Sequence, residues 1–189
     1  MSDAATARLA GAVAGLGRDD LRVRRVEDAD AAALTALVGA AYDEYACGPM
    51  DPEVFDADLA APASMARESG RDWWVVVRDG PSPALIGSVA HGPLHTATDA
   101  GPIVELHRLY LAPDARGLGL ATALLRGIVE EARRAGAAAL EAWSDTRLLD
   151  AHHRYLAFGF LLTGDRRELG DPAGTTELRF TLAVGSTSG

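Results

Sequence analysis

The chain of 189 residues is long enough to bury one hydrophobic core and short for two domains of usual size. Its composition, 48% hydrophobic and 24% charged, excludes the disordered and fibrous classes. The formal net charge of -9 would repel nucleic acid and anionic membrane surfaces, so neither is expected as a partner. A cationic substrate fits this sign, but surplus acid also keeps proteins soluble, so the charge alone selects no substrate.

The N-terminal region, residues 1–20, contains small residues and three glycines, which predicts a flexible, at most partly helical leader. The tail, residues 185–189, has the composition of a flexible linker and is expected to be disordered. Residues 21–184 therefore form a single predicted domain.

The first half of that domain alternates between the strand and helix periods. Residues 21–26 show the period of two typical of a strand, and apolar residues then recur at helical spacing from a cap at Asp28 or Asp30 to Tyr45. Asp51-Pro52 predicts the start of a short helix through Leu59, and residues 62–70 predict another. Residues 72–77 and 84–91 read as a hairpin.

Cys47, the only cysteine, lies where the first long helix is expected to stop, before Gly48-Pro49. One cysteine excludes an intramolecular disulfide and a thiolate metal cluster, and we assign it no catalytic role. The N-terminus lacks a signal-peptide pattern, and no stretch of about 18 apolar residues occurs, so a cytoplasmic protein is expected.

The second half contains a strand–helix–strand unit. A strand over 103–111 precedes a glycine-rich turn, a long helix that Gly136 ends, and a strand over 138–143, an order that requires a parallel pair. A helix over 147–158 follows, and the turn 170–174 joins two antiparallel strands, 160–163 and 176–183.

The glycine-rich turn Arg116-Gly117-Leu118-Gly119-Leu120-Ala121 lies between a strand and a helix. Glycines in that position let backbone N–H groups approach an anion at the positive end of the helix dipole. The Gly-Lys-Ser/Thr of a P-loop and the third glycine of a dinucleotide fingerprint are both absent. A phosphate site and a tight turn without ligand remain open on this motif alone.

Two motifs together resemble those of the GNAT acetyltransferases. The run from Leu109 to Ala121 is similar to the acetyl-CoA-binding signature of that family, and Tyr155-Leu156-Ala157-Phe158-Gly159-Phe160 is similar to its Tyr-x-x-x-Gly-Phe. The resemblance implies an α/β (α+β) fold with a central mixed, mostly antiparallel sheet, one splayed parallel pair and flanking helices.

The resemblance implies acetyl-CoA as cosubstrate and no metal. Backbone groups of Leu109 and Leu111 would pair with pantetheine, one of their amides would serve as the oxyanion donor, and a bulge near Leu109 would splay the sheet. Amides from Arg116 to Ala121 would hold the pyrophosphate. The implied cofactor-binding residues are Leu109, Tyr110, Leu111, Arg116, Gly117, Leu118, Gly119, Leu120 and Ala121.

Tyr155 matches the family tyrosine that protonates the coenzyme A sulfur. Glu105 is the preferred general base, as in some family members, and His107, two residues further along the strand, would face the same side and is the alternative. His91 and Tyr45 are further candidates for the acceptor pocket. His152 and His153 are adjacent on a helix and point in different directions, so no metal site is expected there.

The sequence departs from the family at Leu148, where many relatives carry an asparagine that binds pantetheine. Three residues nearby are candidates to replace it: Ser144, Asp145 and Thr146.

The predicted function is acetyl transfer from acetyl-CoA to a primary amine of a small molecule or peptide by direct attack. The alternative is a non-catalytic acyl-CoA-binding sensor; a toxin acting on charged tRNA is disfavoured by the acidic charge. Carboxylates between residues 43 and 58 suggest a polyamine, amino sugar or basic amino acid as acceptor, with a protein N-terminus or lysine also open. Homodimers are common in the family, although no apolar stripe here requires one.

Overall fold

A computed structural model describes residues 4–96 and 101–185 of the chain. It contains an eight-stranded sheet of order β1-β2-β3-β5-β6-β8-β7, with β4 paired to β5. All neighbours are antiparallel except β5 and β6, the predicted parallel pair. The strands are β1 (Leu21–Arg25), β2 (Asp72–Arg78), β3 (Ala84–His91), β4 (His95–Thr96), β5 (Pro102–Leu111), β6 (Ala139–Asp145), β7 (Leu161–Glu168) and β8 (Thr176–Ala183).

Helices cover both faces of this sheet. They are α1 (Ala4–Ala14), α2 (Ala31–Glu44), α3 (Pro62–Glu68), α4 (Leu120–Arg134) and α5 (Leu149–Phe158). One apolar cluster joins α1, α4 and α5 to one face, and a second joins α2 and α3 to the other. Strand β2 is buried continuously because Trp74 and Val76 belong to the first cluster and Trp73 and Val75 to the second. No helix in the described part of the chain is long and apolar enough to cross a bilayer.

Helix α1 corrects the prediction of a flexible leader. Residues 4–14 form a regular helix whose Ala5, Leu9 and Val13 are buried against the core, at the i, i+4, i+8 spacing of one helix face. The contact with α4 is close: a Cβ added to Gly127 would lie 2.7 Å from Cγ of Leu9. Residues 1–3 and, of the predicted tail, 186–189 lie outside the described residues.

The segment between α2 and α3 also differs from prediction. Instead of a helix, residues 52–55 form a turn, followed by a single 3-10 turn at Ala57–Leu59. The Asp51 carboxylate accepts the N–H groups of Glu53 and Val54, as a helix cap does, but the chain turns back and the Asp56 N–H bonds to the Asp51 carbonyl. The cap was correctly placed, and the helix after it was wrong.

Strand β5 has the predicted bulge. Tyr110 pairs with Ser88 and His107 pairs with Ala90, so Arg108 and Leu109 together face Val89 alone, and Arg108 takes a left-handed φ of 51°. On its other side β5 pairs with β6 only as far as Leu106. The two parallel strands therefore part beyond Leu106, and the sheet opens there.

Candidate functional site

Two cavities meet where β5 and β6 part. The first, the α4 cleft, has a volume of about 480 Å³ and lies against the start of α4; the second, the loop pocket, of about 440 Å³, is walled by residues 49–56 and the last strands. Residues that line both are Leu109, Tyr110, Leu148, Ala151 and Tyr155. The bulge of β5 and the start of α5 thus form a shared boundary with an opening on each side.

The glycine-rich turn and the first turn of α4 form one wall of the α4 cleft. Gly117 and Gly119 have φ of 76° and 81°, which a residue with a side chain rarely adopts, and the helix begins directly after them. The first N–H groups of a helix lack partners within it and carry partial positive charge, so this wall suits an anion. Of the predicted cofactor-binding residues, all except Leu118 line the cleft.

Two polar contacts involve residues that line the α4 cleft. The Arg116 guanidinium donates two hydrogen bonds of 2.6 Å to the Glu44 carboxylate. The Tyr45 hydroxyl, 2.6 Å from Oδ2 of Asp150, joins α2 to α5. Tyr45 was a candidate for the acceptor pocket, but it lines the α4 cleft and not the loop pocket. It directly follows the last residue of α2, before the loop that walls the loop pocket begins.

Glu105 and His107 lie side by side in the loop pocket, with Nδ1 of His107 3.8 Å from Oε1 of Glu105. The same-face prediction for these two residues is confirmed. Burial disfavours the charged form of Glu105 and raises the pKa of its carboxyl group above the ordinary value. Burial, together with the charges of Arg71 and Arg108, lowers the pKa of His107 to about 3, so this imidazole is neutral at physiological pH. The two neighbours are thus shifted in opposite directions, with the pKa of Glu105 raised and that of His107 lowered.

Arg167 links Glu105 to the far wall of the loop pocket. One of its nitrogens lies 3.5 Å from the Glu105 carboxylate, while its Nε donates to Glu177 and its guanidinium stacks 4.5 Å from the Trp143 ring centre. This arginine limits the rise in the pKa of Glu105 that burial causes. Arg167 therefore holds the Glu105 carboxylate near the far wall and offsets only part of the effect of burial on its pKa.

Tyr155 separates the two cavities. Its ring packs between Phe160 and Phe180, with centroid distances of 5.2 and 5.4 Å. Burial raises its pKa, so the phenol keeps its proton and is a donor. Because Tyr155 lines both cavities, it lies where a proton donor could act on a group bound at their junction.

The remaining predicted residues divide by position. His91 lies outside both cavities: its ring is tilted against Trp74, and Nδ1 lies 2.8 Å from the Gly92 carbonyl. His91, a candidate for the acceptor pocket, therefore does not line the loop pocket; its Nε2 lies 3.7 Å from the carboxylate of Asp72, its partner across the β2–β3 pair. Leu148 lines both cavities at the start of α5.

Three residues were candidates for the missing family asparagine. Ser144 and Asp145 line the loop pocket, and the Asp145 carboxylate is held by Arg147 at 2.7 Å. Thr146 lines neither cavity, and its N–H bonds to the Thr176 carbonyl. None of the three candidates lines the α4 cleft, since Ser144 and Asp145 face the loop pocket instead.

Three of the six acids in the segment 43–58 are paired with arginines. Arg116 holds Glu44, and Arg108 binds both Asp56 and Asp58 in a buried cluster that sequence reasoning did not find. These carboxylates stabilise the fold and are not free to attract a cation, which weakens the argument for a polyamine.

Cys47 lies in the loop pocket, but burial raises the pKa of its thiol to about 11. The reactive thiolate is therefore scarce at neutral pH, in agreement with the absence of a catalytic assignment. In residues 4–96 and 101–185, no group of three or more His, Cys, Asp or Glu is arranged to hold a metal ion.

Comparison with known proteins identifies the family. The sequence model of the Acetyltransferase (GNAT) family matches residues 34–160, which include β5, the glycine-rich turn and α5. No curated protein matches the chain.

Solved structures share the fold. The yncA protein of Salmonella typhimurium, solved with its cofactor acetyl-CoA, is 22% identical with a TM-score of 0.65, and the match covers 90% of this chain and 98% of that one. An N-acetyltransferase of Staphylococcus aureus Mu50 is 19% identical with a TM-score of 0.67, covering 88% and 100%. A ribosomal-protein-alanine N-acetyltransferase of Brucella melitensis is 22% identical with a TM-score of 0.59, covering 85% and 98%.

Proposed function

The chain belongs to the GNAT acetyltransferase family, and from that premise we propose that it transfers an acetyl group from acetyl-CoA to a primary amine by direct attack in a ternary complex. The observation that carries the proposal is the junction of the two cavities. A cleft with an anion-binding wall and a pocket with a carboxylate base meet at a buried phenol, Tyr155. Direct transfer needs such a junction because both substrates must be bound at once.

The α4 cleft is the proposed acetyl-CoA site. Its glycine turn and helix start would hold the pyrophosphate, and the edge of β5 at Leu109 and Leu111 would hold the pantetheine. When bound, acetyl-CoA supplies an activated acyl group as a thioester. The residues present fit it because Gly117 and Gly119 take left-handed φ values directly before the helix start, and a Cβ added at Gly117 would meet no atom within 4 Å.

Glu105 is the proposed base. An acceptor amine is protonated at neutral pH and becomes a nucleophile only after losing a proton. A carboxylate whose pKa burial has raised accepts that proton better than an exposed one does. His107 is proposed to act as a neutral neighbour of Glu105 and not as the base.

Tyr155 is the proposed acid for the departing sulfur. A thiolate is a moderately good leaving group, so the gain from this proton is modest. The backbone N–H of Leu109 or Leu111 is the proposed donor to the carbonyl oxygen, because both residues lie at the opening of the sheet.

The acceptor is proposed to be an amine of a small molecule or of a peptide. Carboxylates outnumber arginines around the loop pocket, which favours a cationic group even after the pairing of Asp56 and Asp58. A cytoplasmic location remains a prediction from the sequence.

The proposal is tested by coenzyme A release from acetyl-CoA in the presence of spermidine, lysine, glucosamine and a peptide with a free N-terminus. The wild type should release coenzyme A with at least one of them, and Glu105→Gln should lower the rate by about 100-fold or more. Glu68→Gln, a matched change at an exposed residue of α3, should leave the rate unchanged. A wild type that binds acetyl-CoA but acetylates none of these amines would favour the non-catalytic sensor instead.

A further inference from the structure

We propose that Arg108 is a positioning residue that fastens the wall of the loop pocket to the bulge of β5 and thereby sets the affinity for the acceptor. The inference rests on the proposed function, because it concerns the acceptor side of that same site. It assigns a role to a residue that touches neither reacting group.

Arg108 occupies an unusual place in the backbone. It is one of two non-glycine residues with positive φ among the described residues, and it forms the bulge at which the sheet opens. A left-handed backbone is unfavourable for a residue with a β-carbon, so it persists only where surrounding contacts stabilise it. The contacts of the side chain supply that stabilisation.

The guanidinium of Arg108 donates four hydrogen bonds to one short segment of chain. Nη1 donates to Oδ1 of Asp56 at 2.9 Å, Nε donates to Oδ2 of Asp58 at 3.1 Å, and Nη2 donates to the Phe55 carbonyl at 2.8 Å. Nη2 also bonds to the second carboxylate oxygen of Asp58. The planar guanidinium thus grips residues 55–58 in a way that a single-point cation could not reproduce.

The gripped segment has little regular secondary structure of its own. It consists of turns and one 3-10 turn, and the side chains of Val54 and Phe55 are exposed. The Asp56 carboxylate also accepts a hydrogen bond of 2.9 Å from the Asp51 N–H. Phe55, Asp56 and Asp51 all line the loop pocket, so the shape of that wall depends on the arginine cluster.

The cluster also continues into the rest of the acceptor side. Asp56 lies 3.4 Å from the Tyr42 hydroxyl of α2, and Asp58 accepts a bond of 3.1 Å from Arg71, which precedes β2. Arg108 lines the loop pocket but not the α4 cleft. Its loss should therefore disturb the acceptor site more than the site for acetyl-CoA.

The test compares Arg108→Gln and Arg108→Lys with the wild type. Binding of acetyl-CoA is measured by calorimetry, and KM and kcat are measured for whichever of spermidine, lysine, glucosamine or the peptide is acetylated. Hydrogen exchange of residues 51–59 reports the order of the wall directly. Arg22→Gln is the control, because this arginine makes an exposed ion pair with Asp79 far from the cavities.

Arg108→Gln is expected to raise the amine KM by about tenfold or more while the Kd for acetyl-CoA stays within about threefold. Exchange in residues 51–59 should accelerate, and Arg108→Lys should fall between the two, because it keeps the charge and loses the planar grip. An unchanged amine KM, or an equal loss on both substrates, would overturn the inference.

If Arg108→Gln does not fold, Asp58→Asn with Arg108→Lys decides the question by the same split between amine KM and acetyl-CoA Kd. If the wild type acetylates no amine, the proposed function has failed, and hydrogen exchange alone still tests Arg108: unchanged exchange of residues 51–59 in both variants would overturn the positioning role.

Discussion

Thr122→Glu places a negative charge in the proposed pyrophosphate site without disturbing the helix that carries it. Thr122 is the third residue of α4 and lines the α4 cleft, where it is partly exposed. An acidic side chain in the first turn interacts favourably with the helix dipole, by about 0.3–1 kcal/mol. The substitution should therefore leave the unfolding midpoint unchanged or raise it slightly.

Acetyl-CoA binding should respond in the opposite direction. A carboxylate about 6 Å from a phosphate charge is repelled by about 3 kcal/mol at the effective dielectric constant of about 20 typical near a protein surface. Such a loss corresponds to about 100-fold weaker binding. The loss should diminish at high salt, since the charges are exposed to solvent.

Calorimetric titration with acetyl-CoA measures this effect, with Arg126→Gln as the matched control. Arg126 is exposed on the same helix, does not line the cleft, and its replacement makes the chain more negative by the same single charge. Equal affinity of the two variants would refute the placement of the pyrophosphate at the start of α4.

Four further outcomes follow from the site and the core. In the pH profile of kcat/KM, activity should fall as pH is lowered through the raised pKa of Glu105. The His107→Gln variant should show the same acidic fall; if the acidic fall is absent in that variant, His107 is the base. Because the folded pKa of His107 is about 3 against 6.5 in an unfolded chain, unfolding free energy should fall as pH drops from 6.5 toward 3, and urea titrations of His107→Gln should show a shallower fall. Gly127→Ala should lower stability by about 1–3 kcal/mol in urea because its methyl group would overlap Leu9, and an unchanged midpoint would contradict the packing of α1 on α4. Tyr155→Phe should lower kcat by about tenfold with little change in the Kd for acetyl-CoA; an unaltered kcat would remove it as the acid.

The parts of the fold that were predictable depend on local patterns. The glycine turn before α4 and the parallel pair follow from the residues of the strand–helix–strand unit, whereas the bulge of β5 was expected only from the resemblance to GNAT acetyltransferases. The regularity of α1 was underestimated because Gly11, Gly15 and Gly17 lower intrinsic helix propensity, although only Gly11 lies inside the helix. The burial of Leu9 against Gly127 is a tertiary contact that no local pattern contains.

The site was predictable in its motifs and not in its electrostatics. Glu105 and His107 share a strand face by simple alternation, but the low pKa of His107 that favours Glu105 depends on burial and on Arg71 and Arg167, which come from distant parts of the chain. Asp56 and Asp58 read as free carboxylates in the sequence. Arg108, about fifty residues further along the chain, binds both carboxylates in the folded protein. They therefore stabilise the structure and do not attract a substrate.

Hydrogen exchange of the wild type with and without acetyl-CoA tests the central claim most directly, because it shows both whether the cosubstrate binds and where. We predict protection of the amides in the turn 116–119, in the first turn of α4 and at residues 109–111 of β5. Exchange that is unchanged in these segments at saturating acetyl-CoA would contradict the account.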